Sequence, residues 1–468
     1  MPTKTFSHLL IAMAACACVP TLHARADLIP EKQIVTINDN AAWCWFQDER
    51  VLADHGKLIV SSVASQGGPG GAARSGNIEV TTFEPYTDQP GFNGKSTVSV
   101  LRAKLQEDDH DAAGMTILPD GRYLAMYSKH IADKFILYRI SSKPGEATAW
   151  EPEKTLTRDS NVTYNNIYHL SDENRLYDFY RGEHYKPNFL TSDDNGQTWT
   201  YGNPVVHIAA DPQDKMRPYA RYASNYKDTI WIANTDAHPA EYPATSLYLM
   251  YMKGGKLYHP NGTELAPLSK GVEPAQELCI FKGDPQNQAW VCQLQLDKDG
   301  MPCIAYSIHK TDQDLRYRFY DAKNKLDLEF AHAGNFLYKS QEHYTGNVAV
   351  DPLAPHTLYF STNADPKTGE PLISKADGKR HWELYRCILA PNSIPNNGPG
   401  GGIFDLSKPA NWLINITPLT ENSTVDNIRP IIPAGDHSVR ALLWMRGTYT
   451  SYTRWTTAAV AAPLPSLP

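Results

Sequence analysis

The chain has 468 residues, 44 of them Lys or Arg and 51 Asp or Glu, for a net charge of −7. That balance argues against nucleic acid as a partner, but an anionic polysaccharide needs only a local basic cleft. The 26 Tyr and ten Trp, the many Pro and Gly, and the near absence of helical periodicity point to an all-β protein.

Residues 1–26 read as a secretory signal. Lys4 is followed by the apolar run Leu9-Leu10-Ile11-Ala12-Met13-Ala14-Ala15 and by Ala24-Arg25-Ala26 as a cleavage site. The run is too short for a transmembrane helix, and no other long apolar stretch follows. The mature chain, 27–468, is therefore expected to be soluble, without a membrane span, and secreted or periplasmic. Cys16 sits in a poor lipoprotein context, which makes a lipid-anchored form the lesser alternative. Losing Lys4 and Arg25 takes the charge from −7 to −9. Cys44, Cys279, Cys292, Cys303 and Cys387 remain, an odd set without compact spacing and so no disulfide framework.

A first strand is predicted at Gln33-Ile34-Val35-Thr36-Ile37. Beyond Trp43-Cys44-Trp45-Phe46-Gln47-Asp48-Glu49-Arg50, residues 51–53 and 58–63 form a hairpin around a turn at 54–57. The Gly-rich stretch 67–76 lacks the Lys-Ser/Thr ending of a phosphate loop. Residues 78–83 are another strand.

The stretch from His110 to His130 reads as a hairpin. Thr116-Ile117-Leu118 and Tyr123-Leu124-Ala125-Met126-Tyr127 flank the turn Pro119-Asp120-Gly121. With a three-residue loop Leu118 pairs with Arg122, and counting back places His110 opposite His130. Their Cβ atoms would then lie roughly 5 Å apart. A four-residue loop would shift the register by one and flip the faces.

Further strands are predicted at 135–140, 165–170 and 176–180. Ser192-Asp193-Asp194-Asn195-Gly196-Gln197-Thr198-Trp199 is an Asp-box, a tight turn whose hydroxyl and acid cap backbone N–H groups. Strands recur at 230–233, 247–251, 289–296, 303–307, 348–350, 358–361, 382–386, 439–445 and 451–460, and 391–402 is a Pro/Gly/Asn loop. This cadence of strand pairs suggests radial repetition: a single all-β domain, a seven-bladed β-propeller. A pair of sandwiches fits it less well.

Several motifs, taken in order, carry a family resemblance. They are Trp43 to Asp48; Asp109-His110-Asp111 with Pro119 to Leu124 and His130; the Asp-box; Arg217-Pro218-Tyr219; Thr235-Asp236-Ala237-His238-Pro239; and Asn427-Ile428-Arg429-Pro430 with Trp444-Met445-Arg446-Gly447. Together they resemble the BNR-repeat family of secreted seven-bladed propellers. That family includes ulvan lyases (polysaccharide lyase families 24 and 25) and related rhamnose–glucuronate lyases, which cleave beside a uronic acid by β-elimination. The resemblance implies a monomeric polysaccharide lyase over 27–468. Its partner would be an ulvan-like rhamnose–uronate polymer, and it would need no catalytic cofactor.

Such chemistry needs a cationic or hydrogen-bonding group on the uronate, a base for the C5 proton and an acid for the leaving oxygen at C4. The lyases this chain resembles use two histidines about twenty residues apart, a Tyr, and an Arg downstream of that Tyr. His110 and His130 match the pair. Arg217 is the expected arginine, with Arg221 behind it. Tyr201 is the expected tyrosine, with Tyr219 and Tyr164 as fallbacks. Tyr219, Arg221, His238 and Arg429 are candidate substrate contacts, though His238 and Arg429 could equally be structural.

Some ulvan lyases also carry a structural metal. In the hairpin turning at 297–300, Cys292 and His309 are expected to lie close across the pair. With His238 and Cys279 they make a Cys2His2 set for a structural zinc. Two other functions compete with the lyase. A sialidase-like hydrolase would need three arginines, for which Arg217, Arg429 and Arg446 are candidates, but no acid stands out. A non-catalytic carbohydrate-binding propeller would need no catalytic groups.

Overall fold

The computed structural model describes residues 28–86, 91–208, 216–242, 244–309, 315–339, 341–392 and 405–464. The segment expected to be an export signal and most of the Pro/Gly/Asn loop lie outside the described residues.

Seven sheets, antiparallel except where Ala434–Gly435 runs parallel to Val51–Asp54, are arranged as the blades of a β-propeller. The inner strands, in chain order, are Val51–Asp54, Gly114–Ile117, Thr163–Leu170, Ala220–Ser224, Gln288–Leu296, Val348–Val350 and Asp426–Ile431. Each blade then steps outward by hairpins. The ring closes because Val35–Asn38 joins the last blade at its outer edge, beside Arg454–Pro463, with Val35 paired to Ala461. N- and C-terminal segments thus share one sheet.

The sequence pattern follows from where each strand lies. Tyr123–Tyr127, second from the axis in its blade, is buried at every position because a neighbouring blade covers each face. Leu315–Asp321, farther out, alternates buried and half-buried positions. The Asp-box is the turn between the third and outermost strands of blade three. The Asp194 carboxylate accepts from the N–H groups of Gln197 and Thr198 at 3.0 and 2.9 Å. Ser192 Oγ accepts from Gly196 N–H at 2.9 Å. Gly196, at φ 81°, occupies the left-handed position that glycine takes without a Cβ clash.

Residues 43–50 run through the central channel and touch blade after blade. Trp45 Nε1 donates to Thr345 O at 2.7 Å. The Phe46 ring stacks on Trp290 at 4.3 Å. Gln47 donates to the carbonyls of His110 and Ala112. Arg50 donates to Asn165 O at 2.7 Å. The Asp48 carboxylate is deeply buried. It accepts from the Tyr168 hydroxyl and from Tyr222 N–H, and it faces Arg221 Nη1 at 3.7 Å.

Removing the Asp48 carboxylate would leave Arg221 buried without its counter-ion and two donors unsatisfied. Asp48→Ala should therefore lose about 3–5 kcal/mol of stability, read from its urea midpoint. Adding Arg221→Met to the same chain should recover much of that loss. A single mutant within 1 kcal/mol of the parent, a margin typical of exposed pairs, would contradict this role for the ion pair.

Candidate active site

The hairpin forms in the three-residue-loop register. Gly114 pairs with Met126 and Ile117 with Tyr123. Leu118 N–H donates to Arg122 O. The ladder ends at Gly114, and residues 109–111 coil into one 3-10 turn capped by Asp108, whose Oδ1 accepts from His110 N–H at 3.0 Å. The two imidazoles nevertheless meet. Their ring centroids are 3.7 Å apart and their planes 8° from parallel.

One carboxylate holds both rings. Asp108 Oδ1 lies 2.6 Å from His110 Nδ1, and Asp108 Oδ2 lies 2.8 Å from His130 Nδ1. Asp109 adds a second oxygen 3.0 Å from His110 Nδ1. With each Nδ1 engaged, each Nε2 is the nitrogen that can meet a ligand. His110 is 3% exposed at its side chain and His130 15%, so His130 is the ring nearer the open mouth.

The surroundings split the pair electrically. Burial disfavours a charged His110, but Cys44, Tyr164 and Asp108 outweigh it and hold the ring well above the usual histidine range. Burial and then the charge on His110 push His130 down to about 4. The Asp108 carboxyl stays well below its usual range: burial would raise it, and the two imidazoles overcome that. At neutral pH the pair thus holds one shared proton, mainly on His110, and His130 is a free base.

Blade three supplies the other groups. Tyr164 is the second residue of its inner strand, and its ring lies 5.4 Å from His110. Its φ is 61°, a left-handed backbone that costs an aromatic residue energy. Arg181 ends the next strand of the same hairpin, where it pairs with Thr163. Its guanidinium carbon lies 4.8 Å from the Tyr164 ring, and its Nη1 donates to Tyr219 Oη at 2.9 Å.

Tyr164 Oη and the Nε and Nη2 of Arg181 are buried and have no hydrogen-bond partner among the described residues. Such unpaired buried groups in a native fold need an explanation, and a ligand is one. Burial keeps the Tyr164 phenol protonated, well above its usual pKa. Arg181 stays charged: burial works against its cation, and Tyr219 and Tyr164 offset that.

The remaining predicted residues are spread more widely. Tyr219 packs on Phe46 at 4.6 Å and on His238 at 5.3 Å, close to Arg181. His238 lies against Trp290, 4.6 Å away, and burial, then His343, push it down to about 3, so it is neutral. Tyr201 is not brought to the pair. It sits on the outermost strand of blade three, 45% exposed, under the Arg158 guanidinium at 4.0 Å. The match of Tyr201 with Arg217 rested on their interval in sequence, and in a propeller the strand after an Asp-box is peripheral.

Arg217 is at the rim, paired in a two-point contact with Glu241 and lying over Tyr185. Arg221 is buried below, donating to Cys292 O and facing Asp48, so it braces the channel segment. Arg429 is 1% exposed, with its guanidinium carbon 3.0 Å from the Trp45 ring centroid and Nη2 3.5 Å from Asp109, behind the histidines. Arg446 pairs with Glu31.

The Cys2His2 zinc set does not assemble. Gln288, not Cys292, faces His309, and Cys292 falls in a bulge between Val291 and Gln293. That bulge turns Cys292 into a core with Cys303 and Phe330, while Cys279 packs against another core with Tyr248 and Leu278. All five described cysteines are free.

Sequence reasoning missed Asp108 and Arg181. The acid run Asp108-Asp109-His110-Asp111 was one available signal. The other was the 17-residue interval from Tyr164 to Arg181 across one predicted hairpin, as good a match as that from Tyr201 to Arg217.

The sequence profile of the BNR repeat-containing family matches residues 87–339, more than half of the chain. The chain belongs to this family. No curated protein matches this BNR-repeat protein. Among solved structures it is similar to a family-25 polysaccharide lyase, an ulvan lyase solved alone and bound to -[GlcA(1-4)Rha3S]-. In both cases the TM-score is 0.62 at 13% identity, over 92% of this chain and 95% of that one. A lectin from Burkholderia pseudomallei, BP39L, aligns at TM-score 0.43 and 10% identity over 87% of this chain and 99% of its own. At such identities the likeness to the lyase establishes the shared propeller fold. No helix among the described residues is long and apolar enough to cross a membrane.

An NMR titration of the imidazoles should find His130 neutral until about pH 4 and His110 still protonated well above pH 6.5. Asp108→Asn should bring the His110 value down. Two histidines both titrating near 6.5, as in unperturbed peptides, would contradict the split.

Proposed function

We propose that this BNR-repeat protein is a polysaccharide lyase that cleaves a rhamnose–uronate polymer by β-elimination, with His130, Tyr164 and Arg181 as its central groups and His110 as their cationic neighbour. The observation that carries the reading is the unpaired fork of Arg181 beside an unpaired phenol and a neutral imidazole. A guanidinium with two free N–H directions suits a carboxylate.

In this reading Arg181 receives the uronate carboxylate and, with the His110 cation, stabilises the charge that develops when C5 loses its proton. His130 Nε2 takes that proton. The C5–H electrons form the C4=C5 double bond as the C4–O bond breaks, and the protonated Tyr164 hydroxyl delivers a proton to the departing oxygen. The space beside Tyr164, Arg181 and Tyr219 is about 20 Å3. That is room for a water-sized group, enough for a carboxylate oxygen on Arg181. The ulvan lyase of the same fold is bound to a glucuronate–rhamnose sulfate chain, which supports a polymer of that class.

A sialidase-like hydrolase is less well supported. Arg217 at the rim, Arg429 under Trp45 and Arg446 on Glu31 do not converge.

Incubation with ulvan should release products carrying a new C4=C5 double bond, followed by ultraviolet absorbance. His130→Ala and Tyr164→Phe should each lower the rate about 10²–10⁴-fold, and Arg181→Met about 10²–10³-fold. Tyr201→Phe should leave it unchanged. No absorbance rise on any uronate polymer, or new reducing ends without the double bond, would overturn the reading.

A further inference from the structure

The other mouth of the channel holds a larger cavity, about 390 Å3, where the inner strands end. Its size falls in the range of small-ligand sites. The channel segment separates it from the histidines: Trp45 and Phe46 face the upper mouth, and Asp48, Glu49 and Arg50 form part of the lower floor.

The floor offers a donor and an acceptor side by side. Arg50 is 2% exposed, lines the cavity, and has a buried Nε without a partner among the described residues. Glu49 accepts from Gln293 Nε2 at 2.6 Å through Oε1, and it borders the cavity. Neighbouring Asp48 is fully used by Tyr168, Tyr222 and Arg221. At the rim the Tyr226 ring is 42% exposed, 6.2 Å from Tyr168, and Leu353 is 48% exposed.

These three features fit a sugar. Adjacent hydroxyls can accept from Arg50 and donate to Glu49 while a C–H face packs on Tyr226. Asp48, Glu49 and Asp297 border the cavity together with Arg50 and Lys298, so acids and cations offset one another and an uncharged ligand is favoured. We infer that the lower cavity is a second carbohydrate site, selective for a neutral pyranose, held by Glu49 and Arg50 at the floor and Tyr226 at the rim. It does not depend on the lyase reading, since none of Glu49, Arg50 and Tyr226 belongs to the upper site.

The test is saturation-transfer NMR on the whole protein with methyl β-D-glucopyranoside, and with glucuronate as the anionic counterpart. The neutral glycoside should receive saturation from the parent and the glucuronate much less. Tyr226→Ala should weaken binding roughly tenfold, and Leu353→Trp, which narrows the mouth without removing a contact, should weaken it too. His130→Ala should bind as the parent does. No transfer to the neutral glycoside, binding that survives both rim variants, or binding lost in His130→Ala would each overturn the assignment. Absence of lyase activity from the parent protein, with glycoside binding present, would strike at the catalytic reading alone.

Discussion

Seven inner strands enclose a channel that their own side chains do not fill, and residues 43–50 fill it with aromatic rings above and charges below. Trp45 and Phe46 pack against Tyr344, Tyr449, Trp290 and Tyr219. Gln47 holds the backbone at His110 and Ala112, and Asp48 with Arg221 holds blades three and four. Both cavities take their shape from this one segment. It also fixes the height of the histidine turn, because the Gln47 amide holds the carbonyl of His110 itself.

The upper site shows how one buried carboxylate can prepare a base and a cation from the same side chain. Two stacked imidazoles cannot both carry a proton at low cost. Asp108 reaches both Nδ1 atoms, and Asp109 adds its oxygen to His110 alone. Arg429 faces Asp109 from behind, and the Tyr449 hydroxyl donates to it at 2.5 Å. The deeper ring keeps the proton and the outer ring keeps its lone pair. The left-handed backbones at Tyr164 and Arg429, φ 61° and 54°, mark where the fold tolerates strain to aim these side chains.

Much of this was legible in the sequence. Strand cadence, the Asp-box and the turn Pro119-Asp120-Gly121 are local signals, and they placed the propeller, the hairpin register and the His110–His130 meeting correctly. Which tyrosine and arginine join the pair is a question of radius, and linear spacing carries no radial coordinate. Tyr201 and Tyr164 both stand a similar distance before an arginine, but one lies on an outermost strand and the other on an innermost. The zinc set failed for a related reason. Leu296 pairs with Pro302 across the turn, so His309 falls opposite Gln288, four residues from Cys292, and the bulge at Cys292 turns that side chain into another core.

The account turns on where a uronate carboxylate lands. A crystal structure of the Tyr164→Phe protein soaked with a glucuronate–rhamnose oligosaccharide tests it directly. The account predicts the carboxylate on the Nε and Nη2 edge of Arg181, with C5 facing Nε2 of His130. A carboxylate held at the rim by Arg217, with C5 turned away from both histidines, would contradict it.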